Sequence, residues 1–279
     1  MAFTLANVEG RAALVRDGAW FDVERASAGT ISSDPMLALR VPDALHALDA
    51  RLSELTADGS VADVVLGPPV PRPRNSYGIG LNYRSHAAES NMELPENPLV
   101  FTKFPSCIVG PTSDIELRTE TGDYEVELVV VIGTGGRDIP EADAWEHIVG
   151  VTCGQDISDR RLQFSAKPPH FDLGKSRDTY GPIGPVLVST DQFEDPTQID
   201  LSCTVNGEAR QSDNTRNLIF TVAQLVAYLS SISTLATGDL IFTGTPEGVG
   251  AASKNYLKPG DVIVSTVQGV GTMTNRCLG

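Results

Sequence analysis

From residue 123 onward the apolar positions come in short β-branched or alternating runs, at 123–132, 147–153, 183–189, 199–206, 238–243 and 260–268. Each is bounded by Gly, Pro, Asp or Asn. Runs of this length and composition predict strands. One stretch differs: LIFTVAQLVAYLSS, 218–231, carries its apolar residues at helical spacing and predicts a buried amphipathic helix. Few helices alternate with the strands, which argues against a doubly wound sheet and for an α+β, mostly β architecture with antiparallel or mixed pairing.

The first 66 residues read differently. Ala12 to Val15 and Ala19 to Val23 are short apolar runs, and Leu45, Leu48, Leu52 and Leu55 recur at helical spacing, which predicts a helix over 42–55. Then comes GPPVPRPR, 67–74, whose proline content forbids a helix or an inner strand. The expected organisation is a small N-terminal domain (1–66), a Pro-rich connector (67–74) and a larger domain (75–279).

The chain of 279 residues, 41% hydrophobic, is long enough to bury a sizeable core. Its formal net charge of −15, with no basic patch, argues against nucleic acid and anionic membrane surfaces as partners. An anionic small molecule remains possible where a metal ion or a few cations reverse the field locally. Four scattered cysteines without C-x-x-C spacing predict reduced, mostly buried thiols. The opening MAFTLANVEGR lacks a basic segment followed by an apolar one, and there is no run of about 18 apolar residues, so a cytoplasmic protein is expected.

Three clusters could carry chemistry. In DYEVELVVVIG, 123–133, strand alternation points Glu125 and Glu127 to one face and Tyr124, Val126 and Leu128 to the other. Two carboxylates roughly 6.6 Å apart along a strand can grip a hard cation, although a solvated strand face gives the same pattern. In CGQDISDRRLQ, 153–163, Asp156 closes an apolar run and Asp159 follows; either could instead cap the next segment. In GIGLNYRSHAAE, 78–89, His86 and Glu89 are neighbours on one face if the segment is a short helix. A carboxylate beside an imidazole suits it to activating water, and a surface pair looks the same in sequence. LGKSRDTYGPIGP (173–185) and GDLIFTGTPEGVG (238–250) demand unusual backbone, yet neither fits a nucleotide-binding loop, and there is no G-x-S-x-G elbow.

The ordered series NYRSHAAE, FTKFPSCIVGP, DYEVELVVVIG, CGQDISDRRLQ, LGKSRDTYGPIGP, VNGEARQ, GDLIFTGTPEGVG and LKPGDVI resembles the fumarylacetoacetate hydrolase superfamily from about residue 73 to the last residue. Within it, the acylpyruvase and 2-hydroxyhepta-2,4-diene-1,7-dioate isomerase branch is the nearest in character. The resemblance implies a mixed β-roll or sandwich catalytic domain, a divalent metal (Mg²⁺ or Mn²⁺), a homodimer and a variable N-terminal domain. Matched residue by residue, it implies that Glu125, Glu127 and Asp156 are metal ligands and that His86, Glu89 and Lys175 are catalytic. It further implies that Arg160, Gln163 and Thr245 face the substrate. Arg161, Gln155 and Arg177 depart from the family pattern, where an acid, an Asn and a Phe are common. If 174–178 is extended, Arg177 shares a face with Lys175 and stands at the pocket edge, favouring a substrate with a second anionic or polar group.

The activity so implied is hydrolysis of a C–C bond in a small anionic 2-oxo acid or β-diketone of acylpyruvate or fumarylpyruvate type. Decarboxylation of an oxaloacetate-like acid and isomerisation of a hydroxymuconate-like diene are the alternatives on the same site. A non-catalytic ligand binder is the reading from another class; the joint presence of His86, Glu89 and Lys175 speaks against it.

Overall fold

The computed structural model describes residues 2–90 and 92–279. In chain order its main strands are β1 (Thr4–Val8), β2 (Arg11–Arg16), β3 (Ala19–Asp22), β4 (Ser76–Gly80), β5 (Leu99–Thr102), β6 (Val126–Ile132), β7 (Ile148–Gln155), β8 (Gly181–Val188), β9 (Asp200–Val205), β10 (Glu208–Asn214), β11 (Leu240–Phe242), β12 (Val262–Val267) and β13 (Gly271–Leu278). The helices used below are α1 (Pro42–Asp49), α2 (Arg84–Glu89), α3 (Arg160–Gln163), α4 (Phe171–Gly174) and α5 (Val222–Ile232).

The largest sheet runs β3-β2-β1-β8-β7-β6-β11-β4-β5, and a second, five-stranded sheet runs β10-β9-β12-β13 with Ile115–Glu116 at its edge. Most neighbours are antiparallel, but β11 pairs β4 in parallel, so the architecture is mixed and mostly β, as the spacing of apolar runs predicts. All seven residues of β6 are buried. Val126, Leu128, Val130 and Ile132 enter the core shared with the second sheet and α5. Val129 and Val131 enter a separate core with Phe242, Leu45 and Leu48. A β-branched run buried on both faces is what a central strand requires.

Residues 2–66 extend this frame. β1 hydrogen-bonds β8, and Phe3, Leu5, Leu14 and Leu45 share the second core with β6. These strands, seen in sequence only as apolar runs, are four to six residues long. The helix expected over 42–55 ends as an α-helix at Asp49, and the chain then tightens to a 3₁₀ turn at Leu52–Glu54 that keeps Leu52 buried. The segment 68–74 carries no strand or helix; we propose it as a junction between two units that share a core. α5 starts later than its apolar run because Thr221 caps it, in a reciprocal pair with Gln224. The four cysteines are buried and unpaired with one another. Among the described residues no helix is long and apolar enough to cross a membrane.

Candidate metal centre and active site

The antiparallel register of β6 and β7 sets Val126 opposite Gln155, so the residues just beyond the two strand ends, Glu125 and Asp156, come side by side. The Asp156 amide donates to the Glu125 carbonyl at 2.9 Å. Glu127 lies on the same face as Glu125, and one carboxylate oxygen from each of Glu125, Glu127 and Asp156 falls within 4.8 Å of the others, all three residues buried. Octahedral Mg²⁺, at about 2.1 Å from its ligands, separates adjacent ligand oxygens by roughly 3 Å and opposite ones by roughly 4.2 Å. The three oxygens therefore fit a single hard divalent cation with small adjustments.

Charge supports the same fit. Asp123, Glu125, Glu127 and Asp156 are buried together with only three cations, Lys103, Arg160 and Lys175. Lys175 Nζ donates to Glu125 Oε2 and Asp156 Oδ2, both at 2.7 Å, and to Ser158 Oγ at 2.9 Å. Arg160 Nε donates to Asp123 Oδ2 at 2.8 Å, while its Nη2 meets Glu125 Oε1 at 2.5 Å and its Nη1 donates to Gln163 Oε1 at 3.0 Å. Burial alone would raise the Glu125 carboxyl, but Lys175 and Arg160 outweigh it and hold it down at about 2. Glu127 accepts only the Gly244 amide, at 2.8 Å, and its carboxyl is pushed well up by burial and by the neighbouring Asp156 and Glu125. The surplus negative charge thus collects on the carboxylate that, among the described residues, forms no ion pair, although Lys175 partly offsets it through space.

Glycine is needed at 244 for this contact: φ is +105°, and a Cβ there would stand 2.7 Å from Asn82 Cβ. Gln155, one of the departures from the family pattern, accepts the Glu125 amide at 2.8 Å and donates to Ser265 Oγ at 2.9 Å, so it fixes the backbone that carries the carboxylates.

His86 and Glu89 do lie on a short helix, α2, with His86 Nδ1 3.4 Å from Glu89 Oε2. Glu89 is anchored by the Gly248 amide at 3.0 Å. Burial raises its carboxyl, but His86 and Gly248 more than offset this, so it sits below the ordinary range. His86, Glu89, Glu125, Arg160, Gln163, Lys175 and Thr245 all line one cavity of about 450 Å³; Glu127 and Asp156 are fully buried beside it. Thr245 spends its hydroxyl proton on the Val126 carbonyl at 2.9 Å and accepts from Gln211 at 2.8 Å.

One expectation is corrected, and one open alternative is resolved. Arg177 does not reach the cavity: α4 winds residues 171–174 into a helical turn and Lys175 caps it at φ −110°, ψ 4°, so 174–178 is not an extended strand. Its guanidinium pairs instead with Asp159, at 2.8 Å. Asp159 is a cap, accepting the Leu162 amide at the start of α3, and Arg161 is exposed.

Sequence reasoning missed Lys103. It is almost wholly buried, and its Nζ donates to Asp156 Oδ1 at 2.6 Å and to the carbonyls of Tyr180, at 3.0 Å, and Lys175. A lysine set between Phe101 and Phe104 at a strand end was the available signal.

Residues 75–278 match the family model described as fumarylacetoacetate (FAA) hydrolase C-terminal. The chain belongs to the fumarylacetoacetate hydrolase family. It is 40% identical over 219 residues to a Bos taurus protein named oxaloacetate tautomerase FAHD2A, mitochondrial, covering 77% of this chain and 70% of that one. A solved structure from Mycobacterium smegmatis matches at TM-score 0.91 and 42% identity, over 100% of this chain and 99% of that one. Maleylpyruvate hydrolase from Sphingobium sp. SYK-6, solved in complex with manganese(II) and pyruvate, matches at TM-score 0.84 and 28% identity, over 99% and 98%. Members of this family are enzymes, hydrolases and isomerases among them.

Proposed function

We propose that this protein is a metal-dependent hydrolase that cleaves a C–C bond in a small 2-oxo acid with a second carbonyl, of acylpyruvate type. The observation that carries the reading is the meeting, in one cavity, of a buried three-carboxylate cluster and an imidazole–carboxylate pair. Glu125, Glu127 and Asp156 would hold Mg²⁺ or Mn²⁺, which when bound polarises the 2-oxo acid and offsets charge developing on the enolate. The substrate carboxylate is held by Gln163 and by the one Arg160 N–H that its contacts with Asp123, Glu125 and Gln163 leave over. His86, oriented by Glu89, takes a proton from water. The water oxygen bonds to the distal carbonyl carbon, and Lys175 turns a donor to the resulting oxyanion. Collapse breaks the C–C bond, releases a carboxylic acid, and leaves the electron pair on pyruvate C3, which takes back the proton from His86.

A second reading is proton transfer within an enolisable 2-oxo acid, tautomerase or isomerase chemistry, with decarboxylation close to it. The 40% identity to a protein named as an oxaloacetate tautomerase favours it. It needs no attacking water. A homodimer and a cytoplasmic location belong to the same proposal. The test is product analysis of the Mg²⁺-loaded protein with acetylpyruvate and with oxaloacetate. Stoichiometric acetate and pyruvate support the hydrolase; loss of enol absorbance of oxaloacetate with acetylpyruvate untouched overturns it.

A further inference from the structure

The cavity has two unlike walls. Glu125, His86, Arg160 and Lys175 supply its charged wall; Leu81, Met92, Phe164, Pro169, Phe171 and Val249 supply its apolar wall. Phe164 is 57% exposed and Met92 54%, large apolar side chains left to water at a cavity wall. Phe164 is not loose: its ring meets Phe171 edge-on at 6.4 Å, and Phe171 lies against Phe101 at 5.8 Å. Together the rings form an apolar platform whose inner member, Phe101, has Lys175 Nζ 5.1 Å from its ring centroid.

The cations on the wall are already engaged. Among the described residues they are Arg160 and Lys175, paired respectively with Asp123 and Glu125 and with Glu125 and Asp156, while His86, the proposed base, is held by Glu89. What Arg160 and Gln163 retain suffices for one carboxylate, the one beside the 2-oxo group. Arg177, the cation that could have met a second, is turned to Asp159 and stands off the wall. A second carboxylate set against the Phe164 platform would gain neither apolar burial nor a free cation of the wall as partner. The net charge of −15 opposes it as well.

We infer that the cavity selects a substrate whose arm distal to the 2-oxo acid is uncharged and apolar, alkyl or aryl, and that Phe164 sets this preference. The inference rests on the 2-oxo acid reading above but not on hydrolysis, and binding tests it apart from turnover. Calorimetric titration of the Mg²⁺-loaded protein with pyruvate, 2-oxobutanoate, 2-oxopentanoate and 2-oxohexanoate should show affinity rising roughly fourfold per methylene that reaches the platform. 2-Oxoglutarate, with an arm of similar length to 2-oxohexanoate, should bind at least about tenfold more weakly than it. Phe164→Ala should flatten the series, and Phe164→Arg should shift preference toward 2-oxoglutarate. A flat series in the unaltered protein, 2-oxoglutarate binding as tightly as 2-oxohexanoate, or a slope unchanged in Phe164→Ala overturns the inference. A steep series in a protein that hydrolyses no acylpyruvate sinks the proposed reaction and leaves the arm preference standing; hydrolysis with a flat series does the reverse.

Discussion

Lys103 Nζ sits 2.6 Å from Asp156 Oδ1 with both side chains sealed from solvent. The other oxygen of Asp156 takes Lys175, so this single carboxylate is gripped by two lysines before any metal enters. Lys103 also bonds the carbonyls of Lys175 and Tyr180, tying the segment that delivers Lys175 to the strand end that delivers Asp156. It does not itself line the cavity, acts through Lys175 and Asp156, and is a positioning residue.

Lys103→Met should therefore destabilise the metal-free protein by about 3–5 kcal/mol, since it strands a buried carboxylate and two carbonyls. Saturating Mg²⁺ should restore part of that loss, because a divalent cation supplies positive charge to the same carboxylate. Urea denaturation with and without MgCl₂ reads both effects. Equal destabilisation in the two conditions would separate Lys103 from the metal centre.

Glu127 should behave in the opposite sense. Its carboxyl is held well above the ordinary range by burial and by Asp156 and Glu125, which Lys175 only partly offsets. For a carboxyl raised on folding, ionisation in the native state opposes stability, so the metal-free protein should lose stability as pH rises above the unfolded carboxylate value and through the raised native one. Glu127→Gln removes that charge while keeping the shape. The metal-free variant should be at least as stable as the parent at pH 7, whereas Mg²⁺ affinity should fall about 10-fold to 100-fold, the range seen when support for a metal is lost. Denaturation curves and calorimetry check the two halves separately.

Part of this centre was legible because strand alternation is rigid: Glu125 and Glu127 had to share a face, whereas Asp156, which could equally have been a cap, was joined to them only by the family resemblance. His86 and Glu89 were legible for the analogous helical reason. What escaped notice depends on long-range packing. The aromatic neighbours Phe101 and Phe104 are the one local hint at Lys103, and it is weak, since a lysine after a strand is ordinarily solvated. Arg177 was misplaced because the turn at 171–174 changes which side chains share a face, and no strong helix signal announces four residues. The N-terminal strands hid because β1 to β3 show apolar runs without clean alternation, the mark of a layer packed on a second core.

The Glu89 carboxyl is held below its ordinary value, so the pair with His86 persists down to that depressed value and is lost only as pH falls through it. In Glu89→Gln no carboxyl titrates at this place, so the loss of activity that follows protonation of Glu89 in the parent should be absent from the variant, while the plateau drops because the imidazole has lost its anionic partner. A pH–rate profile on acetylpyruvate measures both, and an acid-side loss identical in the two proteins would assign that titration to another group.

His86→Ala separates hydrolysis from its rivals. Water attack on a carbonyl needs a base within reach, a contribution of roughly 10²–10⁴ in rate. Among the described hydrogen bonds His86 reaches none of the three carboxylates and acts on Glu125 only through space, so its removal should alter Mg²⁺ affinity little. Acylpyruvate cleavage should then fall by about 10²–10⁴, mainly in kcat, with KM little altered, because the lost interaction is made in the transition state. Decarboxylation of oxaloacetate, which requires only that the enolate be held, should fall far less. Glu89→Gln should lie between the parent and His86→Ala, since it keeps a hydrogen bond to the ring and removes the charge. Parallel loss of both activities in His86→Ala, with Glu89→Gln at parental rates, would make α2 a latch over the cavity and put the water-activating base elsewhere.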